Sequence, residues 1–172
     1  KTLDLLWDYL ENLGTGIDRT NPLTWSDDKW PTCAHGGIIP SYGIGHSEAQ
    51  WFVRGVPNVK KAFAKVWETN DLLTSFDGVS LWRPWNIDPS WKTQSGQAWF
   101  HIDQHPISKP GKQCIQGLIN LLPTSKEIGG NVVIPKSHNF FKDLPEEYKE
   151  RVERLPLDID HFRFPHDDPK LS

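Results

Sequence analysis

The sequence predicts an α+β, mainly β domain in which N-terminal helices precede a run of strands. Apolar residues recur at the helical period in two segments before residue 70, and from Gly78 onward the period changes to two. Fourteen Pro and thirteen Gly imply many turns, which suits short strands better than a helix bundle. A chain of 172 residues fits one domain. That domain is expected in three parts: helices and loop over 1–75, barrel strands over 76–140, and a helix with an irregular insert over 141–172.

The first helix is expected over 3–13. Leu3, Leu6, Trp7, Leu10 and Leu13 follow its period, and Gly14 ends it. Residues 15–45 read as a long loop that covers something. Ser47 to Asn70 reads as helix interrupted near Gly55 to Asn58, with Val59, Phe63, Val66 and Trp67 as its apolar stripe. Strands are expected over 79–83, 97–103, 113–122 and 131–134. A charged helix is expected over 144–154, capped by Asp143 and started by Pro145. This order, helices and then strands, suggests an antiparallel sheet or barrel.

Hydrophobic residues at 37% and charged residues at 24% place the chain among globular rather than disordered proteins. A formal net charge of -3 gives no basic surface, so nucleic acid is not an expected partner. No apolar run approaches the ~20 residues of a membrane span. Cys33 and Cys114 are too few for a disulfide framework. Buried free thiols are expected, and with them an intracellular compartment, cytoplasmic or organellar. The chain opens Lys1-Thr2-Leu3-Asp4 without Met and closes without a cap signature, so it is expected to be cut at both ends. Oligomeric state is not legible.

The segment that carries chemistry is Gln97-Ala98-Trp99-Phe100-His101-Ile102-Asp103-Gln104. In a strand, alternate side chains share a face, so His101 and Asp103 point one way and Phe100 and Ile102 the other. An imidazole and a carboxylate side by side can be adjacent ligands of one metal ion. A further His would complete two His and one carboxylate, a set that leaves positions open on non-haem Fe(II). Alone the tripeptide is a weak signal, because a solvated His–Asp hydrogen bond on a surface strand gives the same pattern.

Its surroundings resemble a family. Trp99-Phe100-His101-Ile102-Asp103-Gln104 is similar to the His-x-Asp ligand strand of the phytanoyl-CoA dioxygenase-like family. Gly117-Leu118-Ile119-Asn120-Leu121-Leu122-Pro123-Thr124 resembles the strand that follows it there. Gly129-Gly130-Asn131-Val132-Val133-Ile134-Pro135-Lys136-Ser137-His138 resembles that family's glycine, short apolar strand and Pro-Gly-Ser-His element, with Lys136 where Gly is usual. Phe76-Asp77-Gly78 before a strand is similar as well. The resemblance covers residues 60–140 and is specific as an ordered set of motifs.

The resemblance implies a double-stranded β-helix (jelly-roll, cupin-like) barrel with the N-terminal helices packed outside. It implies Fe(II) as cofactor and 2-oxoglutarate as cosubstrate, decarboxylated to succinate while an organic substrate is hydroxylated. His101 and Asp103 match its first two iron ligands. The distal His and the following Arg of the family would come from later strands, expected beyond Ser172. His138 stands in an element whose His is a loop residue rather than a ligand. His35, His46, His105, His161 and His166 read as solvated loop residues. Gln116 and Asn120 share a strand face with Leu118 and could hydrogen-bond 2-oxoglutarate, although such polar residues often face solvent. Arg83 could pair with an anionic group, or sit in a surface ion pair. Trp82, Trp85, Trp91 and Trp99 could wall a substrate cavity or simply be core. The substrate class implied is a small or lipid-like molecule. A catalytically inactive binding or structural relative is an alternative, as is a cupin-type metal-dependent hydrolase or isomerase.

Overall fold

A computed structural model describes residues 1–35, 37–92, 100–125, 130–165 and 167–168. Trp99 and Gln97 of the ligand strand, Gly129 and His166 lie outside the described residues. The chain divides into two compact units, Lys1–Ser95 and Gly96–Ser172.

The first unit opens with helix α1, Thr2–Asn12. Leu6 and Leu10, one turn apart, are its buried residues. Gly14 follows with φ +73°, a left-handed conformation in which glycine meets no Cβ penalty, and this stops the helix. The core that α1 covers contains Leu10, Ile17, Ile39 and Ile44, with Trp7, Trp25 and Trp30 packed against it. Ile17, Ile39 and Ile44 belong to the stretch read as loop, so residues 15–45 build the core as well as cover it. The segment is tied back to α1 by Arg19, which bonds to Asp8 and Glu11, and internally by Trp25 Nε1 donating to the Asp18 carbonyl at 2.8 Å.

Within the same stretch lies strand β1, Ile38–Ile39, which pairs antiparallel with β2, Val79–Ser80. Gly78 is required there, because a Cβ on it would meet the Ile39 carbonyl. Helices α2, Glu48–Gly55, and α3, Pro57–Trp67, lie between these strands in sequence. Ser47 caps α2 by accepting from Gln50 N at 3.3 Å. Val56 is extended, as a residue before proline prefers, and Pro57 starts α3, which accounts for the interruption. No residue of α3 is fully buried, and Val66 of its stripe is 45% exposed.

The second unit contains β3, His101–Ile102, antiparallel to β4, Phe162–Arg163. His101 stands opposite Arg163 and Ile102 opposite Phe162, and Phe164 N donates to the Phe100 carbonyl at 3.1 Å to lengthen the ladder. The helix expected over 144–154 is two short ones, α4 (Leu144–Glu147) and α5 (Lys149–Glu153), broken at Tyr148. Asp143 stands at the N-cap but its side chain makes no cap hydrogen bond. Leu144, Val152 and Phe162 are buried. The Tyr148 ring meets Phe162 and Phe164 edge-on, which fixes the break against β4.

The segments 113–122 and 131–134, expected as strands, carry no strand among the described residues. Without a partner ladder their apolar residues stay open to solvent: Leu118, Leu121, Leu122, Val132 and Val133 are all exposed. The described strands form two two-stranded antiparallel sheets, β1–β2 and β3–β4. No helix among the described residues is long and apolar enough to cross a membrane. Both cysteines are free thiols. Cys33 is half-buried, whereas Cys114 is exposed rather than buried, because it lies in the unpaired 113–122 segment.

Candidate functional site

Of the strand expected over 97–103, the described residues carry His101–Ile102, and Asp103 follows it. Ile102 pairs with buried Phe162, and His101 and Asp103 take the other face. His101 Nε2 lies 3.4 Å from Asp103 Oδ1, and both side chains are partly exposed, at 27% and 39%. The second carboxylate oxygen, Oδ2, accepts from Gln116 Nε2 at 2.8 Å. The carboxylate is therefore gripped at both oxygens.

Its acidity follows from these contacts. The hydrogen bond with His101 holds the Asp103 carboxyl below its usual range. The Gln116 hydrogen bond and the charges of His101 and His161 act the same way, against partial burial, which raises it. Asp103 is thus an ionised acceptor at neutral pH.

Would the pair fit a metal ion? Adjacent donors on an octahedral ion with bonds of ~2.1 Å lie roughly 3 Å apart. The 3.4 Å between Nε2 and Oδ1 is close to that spacing. An imidazole nitrogen and a carboxylate oxygen also suit Fe(II). Among the described residues, no third His, Cys, Asp or Glu joins them at metal-binding distance. The spacing of the pair is that of two neighbouring donors on one ion.

Arg163, not singled out by sequence, and His161, a candidate ligand read as a solvated loop residue and exposed here, come near this pair. The antiparallel register sets Arg163 opposite His101, and His161 directly precedes β4. His161 bears on the Asp103 carboxyl electrostatically. The signal that could have found them is the His161-x-Arg163 alternation, but nothing in the sequence tells which strand it pairs with.

The comparisons with known proteins bear on this same region. The chain is 32% identical over 157 residues to a protein of Aspergillus versicolor named "Ava biosynthesis cluster protein O", covering 91% of this chain and 49% of that protein. It is 26% identical over 179 residues to a Dictyostelium discoideum protein named "Putative phytanoyl-CoA dioxygenase", covering 83% of this chain and 50% of that protein. The chain is similar to a named dioxygenase over most of its length. It spans about half the length of the curated relatives it matches. No family model matches the chain, and no solved structure matches it.

The other residues singled out by sequence are placed as follows. Asn120 is exposed and donates to Thr124 Oγ1 at 3.4 Å. Arg83 belongs to the first unit, where it donates to the Trp25 carbonyl at 2.6 Å and pairs with Asp27 at 2.5 Å. Its guanidinium also lies over the rings of Trp30 and Trp91, so a largely covered cation with aromatic walls pairs with an exposed carboxylate. Trp91 is buried, while Trp82 and Trp85 are exposed. His138 is exposed within a 3₁₀ segment, Ser137–Asp143. His35 and His46 are exposed, and the His46 ring stacks at 4.0 Å from Phe76. His105 corrects the expectation of an exposed loop residue: it is fully buried, because its ring serves the backbone of the loop it sits in.

Proposed function

We propose that this chain carries part of the iron site of a non-haem Fe(II), 2-oxoglutarate-dependent oxygenase of phytanoyl-CoA dioxygenase-like type. The observation that carries this reading is the convergence of His101 Nε2 and Asp103 Oδ1 on one strand face, with Gln116 on the remaining carboxylate oxygen. Similarity to a protein named as a phytanoyl-CoA dioxygenase supports it. The fold proposed is a double-stranded β-helix with the N-terminal helices outside. The substrate proposed is a small or lipid-like organic molecule, and the compartment intracellular, in keeping with the two free thiols.

When bound, Fe(II) with 2-oxoglutarate supplies the chemistry: O₂ is consumed, the cosubstrate is decarboxylated to succinate, and a substrate C–H becomes C–OH. His101 offers a neutral nitrogen lone pair. Asp103 would offer its carboxylate, which Gln116 orients by donating to Oδ2. Gln116 is thus read as a holder of Asp103 rather than a partner of 2-oxoglutarate. The third ligand and the cosubstrate's cationic partner are assigned to other parts of the protein.

The test is succinate formation by the protein loaded with Fe(II) without oxygen and then given 2-oxoglutarate and O₂. Succinate is expected to depend on both additions, to vanish in His101→Ala and Asp103→Ala, and to fall about tenfold in Gln116→Leu. Iron-loaded protein that binds no 2-oxoglutarate would end the reading. One observation favours a second reading, a binding protein that kept the pair and lost catalysis: no third ligand joins it among the described residues. Metal-dependent turnover without oxygen uptake would point instead to a cupin-type hydrolase or isomerase.

A further inference from the structure

His105 is a polar ring in a place that usually takes an apolar one. Its exposure is 0%, although it lies in the loop that leaves β3. Burying an imidazole costs free energy unless its nitrogens are hydrogen-bonded. Nδ1 accepts from the backbone N–H groups of Ile107 at 3.0 Å and Ser108 at 3.1 Å. An accepting Nδ1 carries no proton, so the ring proton is assigned to Nε2. That Nε2–H has no hydrogen-bond partner among the described residues, so the ring is kept there for its acceptor.

The loop around it is closed from several sides. Lys109 N donates to the His105 carbonyl at 3.1 Å. Gln104 Nε2 donates to the carbonyls of Lys109 and Gly111, each at 2.6 Å. Two consecutive side chains directly after Asp103 therefore lace residues 104–111 into a turn. The turn is also tied to the chain entering β4, through Ser108 Oγ to the Leu157 carbonyl at 3.2 Å and Lys109 to Asp160. The backbone that holds the Asp103 carboxylate is anchored from this turn.

We propose that His105 is a positioning residue: by accepting two backbone N–H groups it fixes the turn behind Asp103 and thereby sets the affinity of the His101–Asp103 pair for a divalent metal. The statement about affinity rests on the iron-site reading, and the statement about the turn does not.

Two variants test it. His105→Leu keeps the bulk and removes the acceptor. His105→Asn keeps an oxygen that can accept from the amides two and three residues on, as Asn does in turns. Amide hydrogen exchange of the metal-free protein is measured first. In His105→Leu the amides of 103–111 are expected to exchange roughly tenfold faster, with the first unit unchanged, and in His105→Asn to stay near wild type. Co(II) affinity, followed by its visible absorption, is measured second. It is expected to fall about 10- to 100-fold in His105→Leu and to be rescued in His105→Asn. Unchanged exchange in His105→Leu overturns the proposal, as does changed exchange with wild-type Co(II) affinity and absorption. Loss of affinity in both variants alike also overturns it. Wild-type protein that takes up no Co(II) would overturn the affinity statement together with the iron reading, while exchange alone would still decide the role of His105 in the turn.

Discussion

Lys136 holds a backbone conformation that belongs to another residue type. Its φ is +66°, in the left-handed region where a Cβ crowds the following carbonyl. The resembled family places Gly at this point, and here the chain keeps the turn and accepts the strain. The strain is about 1–2 kcal/mol, while glycine adds about 0.5–1 kcal/mol of unfolded-chain entropy. Lys136→Gly is therefore expected to raise stability by up to about 1 kcal/mol, and Lys136→Val to lower it, because a branched Cβ fits that region worst. Urea unfolding of the two variants beside wild type checks both signs. The departure from Gly was visible in the sequence. Its conformational cost was not, since a single residue does not announce its φ.

At the scale of elements, Tyr148 joins the α4–α5 break to β4 and to the end of the described chain. Its hydroxyl donates to Asp168 Oδ2 at 2.6 Å, and its ring packs on Phe162 and Phe164. Burial, and then Asp168, push the phenol well above its ordinary value. The neutral phenol is thus favoured in the folded state. Its stabilising contribution is fully present below the unfolded pKa near 10 and is lost as pH rises from there through the higher folded value. Tyr42, whose phenol is lowered by its hydrogen bonds with Thr32, is expected to ionise first in an absorbance titration, and Tyr148 last. Tyr148→Phe should remove the late step and flatten the loss of stability above pH 10. The sequence showed α1, a helix beginning at Ser47 and an interruption near Gly55 to Asn58, because caps and period are local signals. It could not show the break at Tyr148, or that β1 pairs with β2 and β3 with β4, because pairs only two residues long are decided by partners far along the chain. The His101–Asp103 pair was legible for the opposite reason: alternation is local. Gln116 was legible as a polar residue beside Leu118 but not as the partner of Asp103, and the burial of His105 rests on a turn that the sequence does not announce.

For the molecule as a whole, apolar side chains stay open in both units. The first has a buried apolar cluster yet leaves Leu23 and Leu73 exposed. In the second, Leu144, Val152 and Phe162 are buried, while Leu118, Leu121, Leu122, Val132, Val133 and Phe140 remain exposed. Apolar surface of that extent attracts partners or dye. The 172-residue chain is expected to enhance the fluorescence of an apolar-surface dye, and Leu122→Ser with Val133→Thr to reduce the enhancement. Dye response unaffected by the double variant would mean that these side chains are covered in solution.

The aromatic trio that anchors α1 also has an optical consequence. Trp7 and Trp25 lie 5.1 Å apart with their planes tilted by 34°, close enough for their electronic transitions to couple. Every described tryptophan falls in Lys1–Ser95. Indole emission, and the signed doublet that coupled rings add to circular dichroism, therefore follow the N-terminal unit. Trp99, two positions before His101 in the sequence, has a different address. The difference between wild-type emission and that of Trp99→Phe is then a signal from the sequence neighbourhood of His101.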